Sequence, residues 1–174
     1  PALMSEGICL VISPLIALMD DQVRFLKSKG IKSVAITSNM HYNEIDTALT
    51  NCIYGGIKFL YLSPERLQNK LLQTRIKKMN INLITVDEAH CISEWGHNFR
   101  PAYRSISELR ELAPNTPVLA LTATATSSVI DDIQHNLTFK EKNLIQSSFM
   151  RDNLSYVVDK IEDKNKRLLK LVAK

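Results

Sequence analysis

Continuous apolar runs of strand length alternate along this chain with stretches of helical periodicity. The runs are Ile8 to Ile12, Ser33 to Ile36, Lys58 to Leu62, Ile81 to Val86, Val118 to Leu121 and a weaker sixth from Leu144 to Ser147. Strands that are apolar on both faces, rather than alternating, belong to a parallel sheet covered on both sides. Between them, Leu15, Leu18, Met19, Val23 and Leu26 make one helical stripe, Ile45, Ala48, Leu49 and Cys52 another, and Val129, Ile130, Ile133 and Leu137 a third. Gly30 and the pair Gly55, Gly56 stop the first two. The expectation is an α/β domain with a mostly parallel sheet and helices on both faces.

Composition narrows the class. The 174 residues are 45% hydrophobic and 23% charged, enough for one core and too few for two ordinary domains. Ser13 and Pro14 interrupt the apolar stretch Ile8 to Met19, which falls short of the ~20 apolar residues a bilayer needs. Three cysteines, Cys9, Cys52 and Cys91, are widely spaced, which fits a reducing compartment and excludes a CxxC metal site. The net charge of +4 permits a polyanionic partner. It is not gathered into an arm: ten basic residues face seven acidic ones up to Asp87, and twelve face eleven after it.

The strand ends repeat one device. Ile12-Ser13-Pro14-Leu15 and Leu62-Ser63-Pro64-Glu65 each place Ser as a cap and Pro at the first helical position directly after a strand. Thr37, Ser38 and the run Thr122 to Thr126 add hydroxyls after two more strands. In a parallel sheet these ends share the edge where ligands bind, and capping helix N-termini there can receive phosphates. At that edge Val86 runs into Asp87-Glu88-Ala89-His90. A carboxylate pair after an apolar strand can hold Mg²⁺ near phosphates with the first residue and polarise an attacking water with the second. It can equally be an acidic helix start.

A complete nucleoside triphosphatase also needs a glycine loop ending Gly-Lys-Ser/Thr, and no Gly-Lys pair occurs in the chain. The chain therefore reads as a piece of a longer protein, cut after the phosphate loop and carrying the metal and water half of the site. After the carboxylates comes a segment rich in aromatics, with Trp95, Phe99, Arg100 and Tyr103 broken by Gly96 and Pro101. Aromatic faces stack on any base and Arg pairs with phosphate. The alternatives are a satellite hydrophobic cluster for Trp95 and Phe99, and for Tyr103 the start of the next helix with Ile106 and Leu109. His90, Cys91 and His97 lack a fourth ligand at zinc spacing.

The stretch DEAHCISEWGHNFRP, from Asp87 to Pro101, closely resembles the Asp-Glu-Ala-His box and aromatic-rich loop of RecQ-family DNA helicases of superfamily 2. The likeness continues through most of the chain. VISPLIALMDDQV resembles the family's first DNA-contacting motif, FLYLSPERL the next, LALTATAT motif III, and SFMRDNLSYVV the entry to a second motor domain. Asn98 stands where the family usually has Asp.

The resemblance implies a RecA-like domain over residues 1–148 and, over 149–174, a linker and the start of a second such domain. It implies ATP and Mg²⁺ as cofactors, with Asp87 on the metal, Glu88 activating the water and His90 linking that site to motif III. Thr122 and Thr124 would couple ATP state to DNA. Trp95, Phe99 and Arg100 would engage single-stranded DNA, and Ser13 and Ser63 would line the strand. The implied activity is ATP-driven 3′ to 5′ translocation and duplex unwinding in an intracellular, nucleoid-associated protein, with this piece inactive alone. The competing readings are a standalone nucleic-acid-binding or interaction module without ATPase activity, and an RNA helicase.

Overall fold

A computed structural model describes residues 1–95, 99–147, 152–155, 157–158 and 160–173. They form two compact units, Pro1–Lys142 and Asn143–Lys174. In the first, β1 (Ile8–Ile12), α1 (Ile16–Ser28), β2 (Ser33–Ile36), α2 (Tyr42–Tyr54), β3 (Phe59–Leu62), α3 (Lys70–Ile76), β4 (Ile81–Val86), α4 (Ser105–Leu112), β5 (Val118–Ala120) and α5 (Ser127–Asn136) follow in order. The five strands make one sheet in the order β2-β3-β1-β4-β5, every neighbouring pair parallel. Consecutive strands are thus joined by crossovers, and every strand ends on the same edge.

The central strand explains the continuous apolar runs. All five residues of β1 are buried, and successive side chains point to opposite faces. Ile8, Leu10 and Ile12 join the larger core, with Leu49 of α2, Leu72 and Ile76 of α3, Ile106 and Leu109 of α4, and Val129 and Ile133 of α5. Cys9 and Val11 face the other way, onto Met19 and Val23 of α1 and Tyr61 of β3. Among the described residues of this unit, α2, α3, α4 and α5 pack on one face, and α1, with the buried Ala2 of a 3-10 turn (Ala2–Met4), on the other. Toward β5 that second face is thinner, and Leu119 and Leu121 remain 42% and 46% exposed.

Three local expectations need correction. Ser13 does not cap α1. The cap position is Leu15, the helix begins at Ile16, and Ser13 is buried with its hydroxyl on a carboxylate described below. Ser63 does occupy the cap position, with Pro64 first in the helix, but the helix is a 3-10 turn (Pro64–Gln68) and its hydroxyl caps nothing. The run Leu144 to Ser147 is not a strand. Ile145 is 97% exposed, and an apolar run has no reason to extend as a strand without a neighbour to pair with.

The second unit carries α6 (Lys164–Val172), capped by Asp163, whose carboxylate accepts the Lys166 N–H at 3.0 Å. Leu168, Leu169, Leu171 and Val172 are all exposed. Among the described residues no helix is long and apolar enough to cross a membrane.

The buried acids set an alkaline limit on stability. Burial pushes the Cys52 thiol up from 9.0 to about 12. Burial, followed by the nearby Cys9 and Asp87, lifts the Tyr61 phenol from 10.0 to about 12. Both groups are neutral when protonated, so the folded chain keeps protons that the unfolded chain releases. This contribution is whole below the unfolded values and is lost as pH rises through the folded ones. Urea midpoints should therefore fall between about pH 9 and about pH 12, and the fall should be shallower at its lower end in a Cys52→Ala variant.

Candidate functional site

The site is built where β4 stops. The Asp87 N–H donates to the Ile12 carbonyl at 2.8 Å, one step beyond the β1–β4 ladder. The chain then turns sharply because Glu88 adopts a left-handed backbone, φ 48 and ψ 44. A non-glycine residue there is strained and persists only where its surroundings hold it. Here the next residue does so: the Ala89 N–H donates to the Leu121 carbonyl at 2.9 Å, opening a 3-10 helix over Ala89–Ile92.

The Asp87 carboxylate is held from both sides. One oxygen accepts the Glu88 N–H at 2.9 Å, and the other accepts the Ser13 hydroxyl at 3.1 Å. The Asp87 carbonyl accepts the Tyr103 hydroxyl at 3.0 Å. Tyr103 is fully buried, and burial drives its phenol far above the usual range, so it stays protonated and donates. Each carboxylate oxygen thus keeps a lone pair free, which suits a Mg²⁺ ion held by one protein carboxylate beside phosphates and waters.

His90 sits between the two halves of the site. Its Nδ1 lies 2.9 Å from the Thr122 hydroxyl and 3.3 Å from a Glu88 carboxylate oxygen. The Thr122 hydroxyl can donate to the Thr124 carbonyl at 3.3 Å, and the Thr124 N–H returns to it at 3.3 Å. When that hydroxyl donates to Thr124, the Nδ1 proton is the one that bridges to Thr122 and Glu88. The remaining Nε2 faces the Cys91 sulfur at 3.7 Å, and burial keeps the Cys91 thiol protonated. Glu88, His90, Thr122 and Thr124 therefore form one connected chain of polar contacts.

The aromatic segment leaves this core through a narrow neck, closed by the Arg100 N–H on the Cys91 carbonyl at 3.0 Å. Trp95 is 78% exposed and is no part of a buried cluster. Phe99 is half-buried with the Arg104 guanidinium 5.3 Å from its ring centre, and Arg104 also pairs with Glu94. Arg100 is exposed. The expectations for Asn98 and His97 lie outside the described residues. Asp87, Glu88, His90, Thr122 and Thr124 come together with Ser13, while Ser63 stands two strands away after β3, half-buried. Sequence reasoning missed Tyr103 as a support of Asp87 and Ser93 as a buried junction. The spacing of Tyr103 with Ile106 and Leu109 pointed to a helix start, as the alternative to a place in the aromatic segment.

An open parallel sheet with a carboxylate pair and hydroxyls gathered at its carboxyl edge defines the class. Residues 2–133 match the DEAD/DEAH box helicase family. The chain is 44% identical over 167 residues to the ATP-dependent DNA helicase RecQ of Bacillus subtilis, covering 95% of this chain and 28% of that protein. It is 39% identical over 158 residues to the ATP-dependent DNA helicase RecQ of Pasteurella multocida, covering 91% of this chain and 25% of that one. The chain thus spans about a quarter of the length of these relatives. The crystal structure of the Pyrococcus furiosus Hef helicase domain shares the fold, with a TM-score of 0.59 at 23% identity over 80% of this chain and 29% of that one. The chain belongs to the DEAD/DEAH box helicases and, within them, to the RecQ family.

Proposed function

We propose that this chain supplies the first RecA-like motor domain of an intracellular ATP-dependent DNA helicase, which translocates 3′ to 5′ on single-stranded DNA and unwinds duplex. Residues 1–148 belong to that domain and 149–174 lead toward a second. The observation that carries the reading is the shared contact at His90 Nδ1, which joins the Glu88 carboxylate to the Thr122 hydroxyl. A base for water and a hydroxyl on the neighbouring strand end respond to one imidazole.

The roles follow from the contacts. Asp87, oriented by Ser13 and the Glu88 N–H, would hold Mg²⁺. The bound ion and ATP supply a phosphoanhydride whose charge the metal neutralises. Glu88 accepts a proton from water at its free carboxylate oxygen. His90 holds that carboxylate by its Nδ1–H and passes its position to Thr122 and Thr124. Trp95 and Arg100 are presented for single-stranded DNA, with Phe99 braced by Arg104. Ser63 and the backbone after β1 line the strand. Ser13 joins them through its chain position, since its hydroxyl is turned to Asp87.

With no Gly-Lys-Ser/Thr loop among its 174 residues, this chain alone should hydrolyse ATP negligibly. The test of the carrying observation is Thr122→Val in the helicase that contains the domain. The variant keeps volume and loses the His90 contact. DNA-stimulated ATP turnover should fall toward the DNA-free rate while affinity for single-stranded DNA holds. Stimulation that survives Thr122→Val would sink the reading of His90 as the link.

A further inference from the structure

Ser93, next after the 3-10 helix, is 1% exposed, yet it carries a hydroxyl and lies at the root of the aromatic segment. Its N–H and its hydroxyl are both engaged. Its N–H donates to the His90 carbonyl at 3.2 Å, its hydroxyl donates to an Asp132 carboxylate oxygen at 2.6 Å, and its oxygen accepts the Trp95 N–H at 3.2 Å. The bond to Asp132 is short and charge-assisted, the strong kind of hydrogen bond. Asp132 is half-buried on α5, and its own carbonyl accepts the Asn136 side-chain amide at 2.9 Å.

This contact closes a pattern. At its start the 3-10 helix is tied to the end of β5 by Ala89 on Leu121 and by His90 on Thr122, both at 2.9 Å. At its end it is tied to α5 by Ser93 on Asp132. Between the ties, Ala89, Cys91 and Ile92 share a core with Val129 and Ile133 of α5. Residues 89–93 are therefore fixed at both ends to the segment 121–132. A buried apolar residue at position 93 would satisfy the packing alone. A buried serine aimed at a carboxylate adds direction, and it passes that direction to the backbone of Trp95.

We propose that Ser93 and Asp132 form a positioning clamp that sets the orientation of the Trp95 backbone relative to α5. Displacement of Trp95 by a bound strand is thereby delivered to the Thr122–Thr126 segment along a second route, parallel to His90. The clamp stands on the geometry of the free chain; its role in DNA coupling rests on the reading of Trp95 given above.

Trp95 is the only tryptophan, so its time-resolved anisotropy in the 174-residue chain reports the clamp directly. Ser93→Ala and Asp132→Ala should each lower the residual anisotropy of the free chain, Asp132→Asn should preserve it because its amide oxygen still accepts, and the double alanine variant should fall no further than either single. Affinity for an oligothymidylate should weaken roughly tenfold in the alanine variants, the scale of a lost hydrogen bond to a charged group. Far-UV circular dichroism checks folding. If Ser93→Ala proves misfolded, the half-buried Asp132 pair decides the matter by the contrast between Ala and Asn. Unchanged anisotropy in Asp132→Ala, or equal losses in Asp132→Ala and Asp132→Asn, overturns the clamp. If oligothymidylate leaves wild-type Trp95 unmoved while the variants behave as stated, the DNA reading fails and the clamp stands.

Discussion

Glu88→Gln in the helicase that contains this domain should lower ATP turnover by about two to four orders of magnitude, the range of a lost general base. The substitution preserves volume and leaves the backbone hydrogen bonds of the turn untouched. It removes only the ability to take a proton. Glu88 is poised for this by its left-handed backbone, which turns the chain out of the sheet and leaves one carboxylate oxygen 3.3 Å from His90 Nδ1. An amide here could flip to present either an oxygen or an NH₂ to the imidazole, and neither is a base. Affinity for magnesium nucleotide should be nearly unchanged, since Asp87 and its partners Ser13 and Tyr103 are intact. Asp87→Asn should show the opposite balance, with the larger loss in metal-dependent nucleotide affinity. Steady-state turnover combined with fluorescent-nucleotide binding separates the two. A Glu88→Gln enzyme with wild-type turnover would remove Glu88 from the chemistry.

The sheet was legible because burial on both faces leaves a mark in composition: Ile8 to Ile12 is apolar throughout, and it is the strand at the centre. The carboxylates were legible because an apolar strand cannot continue into Asp87-Glu88 without ending. What sequence could not show was direction. Ser13 and Ser63 stand in identical Ser-Pro settings after strands, yet one hydroxyl turns inward to Asp87 and the other caps nothing. The difference lies in the neighbour: β1 lies beside β4, whose end supplies a carboxylate, while β3 lies between β1 and β2. Leu144 to Ser147 had strand composition without a partner. Ser93 and Asp132 are 39 residues apart and meet only because α5 packs on the 3-10 helix. Pairings of that kind depend on register between elements, which periodicity does not encode.

The exposure of Trp95 carries the second large effect. A side chain that is 78% exposed contributes little to folding, so its replacement isolates whatever it does at the surface. Trp95→Ala should weaken binding of single-stranded DNA by about 1 to 3 kcal/mol, roughly five- to 150-fold, the worth of one base stacked on an aromatic ring. The thermal midpoint should hardly move. The indole can stack on any base, so the loss should be similar for oligothymidylate and oligodeoxyadenylate. Arg100→Ala should behave differently, because a phosphate contact is read through released counterions: it should reduce the salt dependence of binding as well as the affinity. Phe99 is a mixed case, since its ring is engaged by Arg104 at 5.3 Å before any strand arrives. Phe99→Ala should therefore cost both affinity and local order, and Arg104→Ala should reproduce part of that loss without touching DNA. Equilibrium titrations at two salt concentrations, with labelled strands so that Trp95 can be removed, resolve these contributions. Equal affinity in wild type and Trp95→Ala would assign the exposed indole to some other surface, and the sequence-independent stacking role would have to be given up.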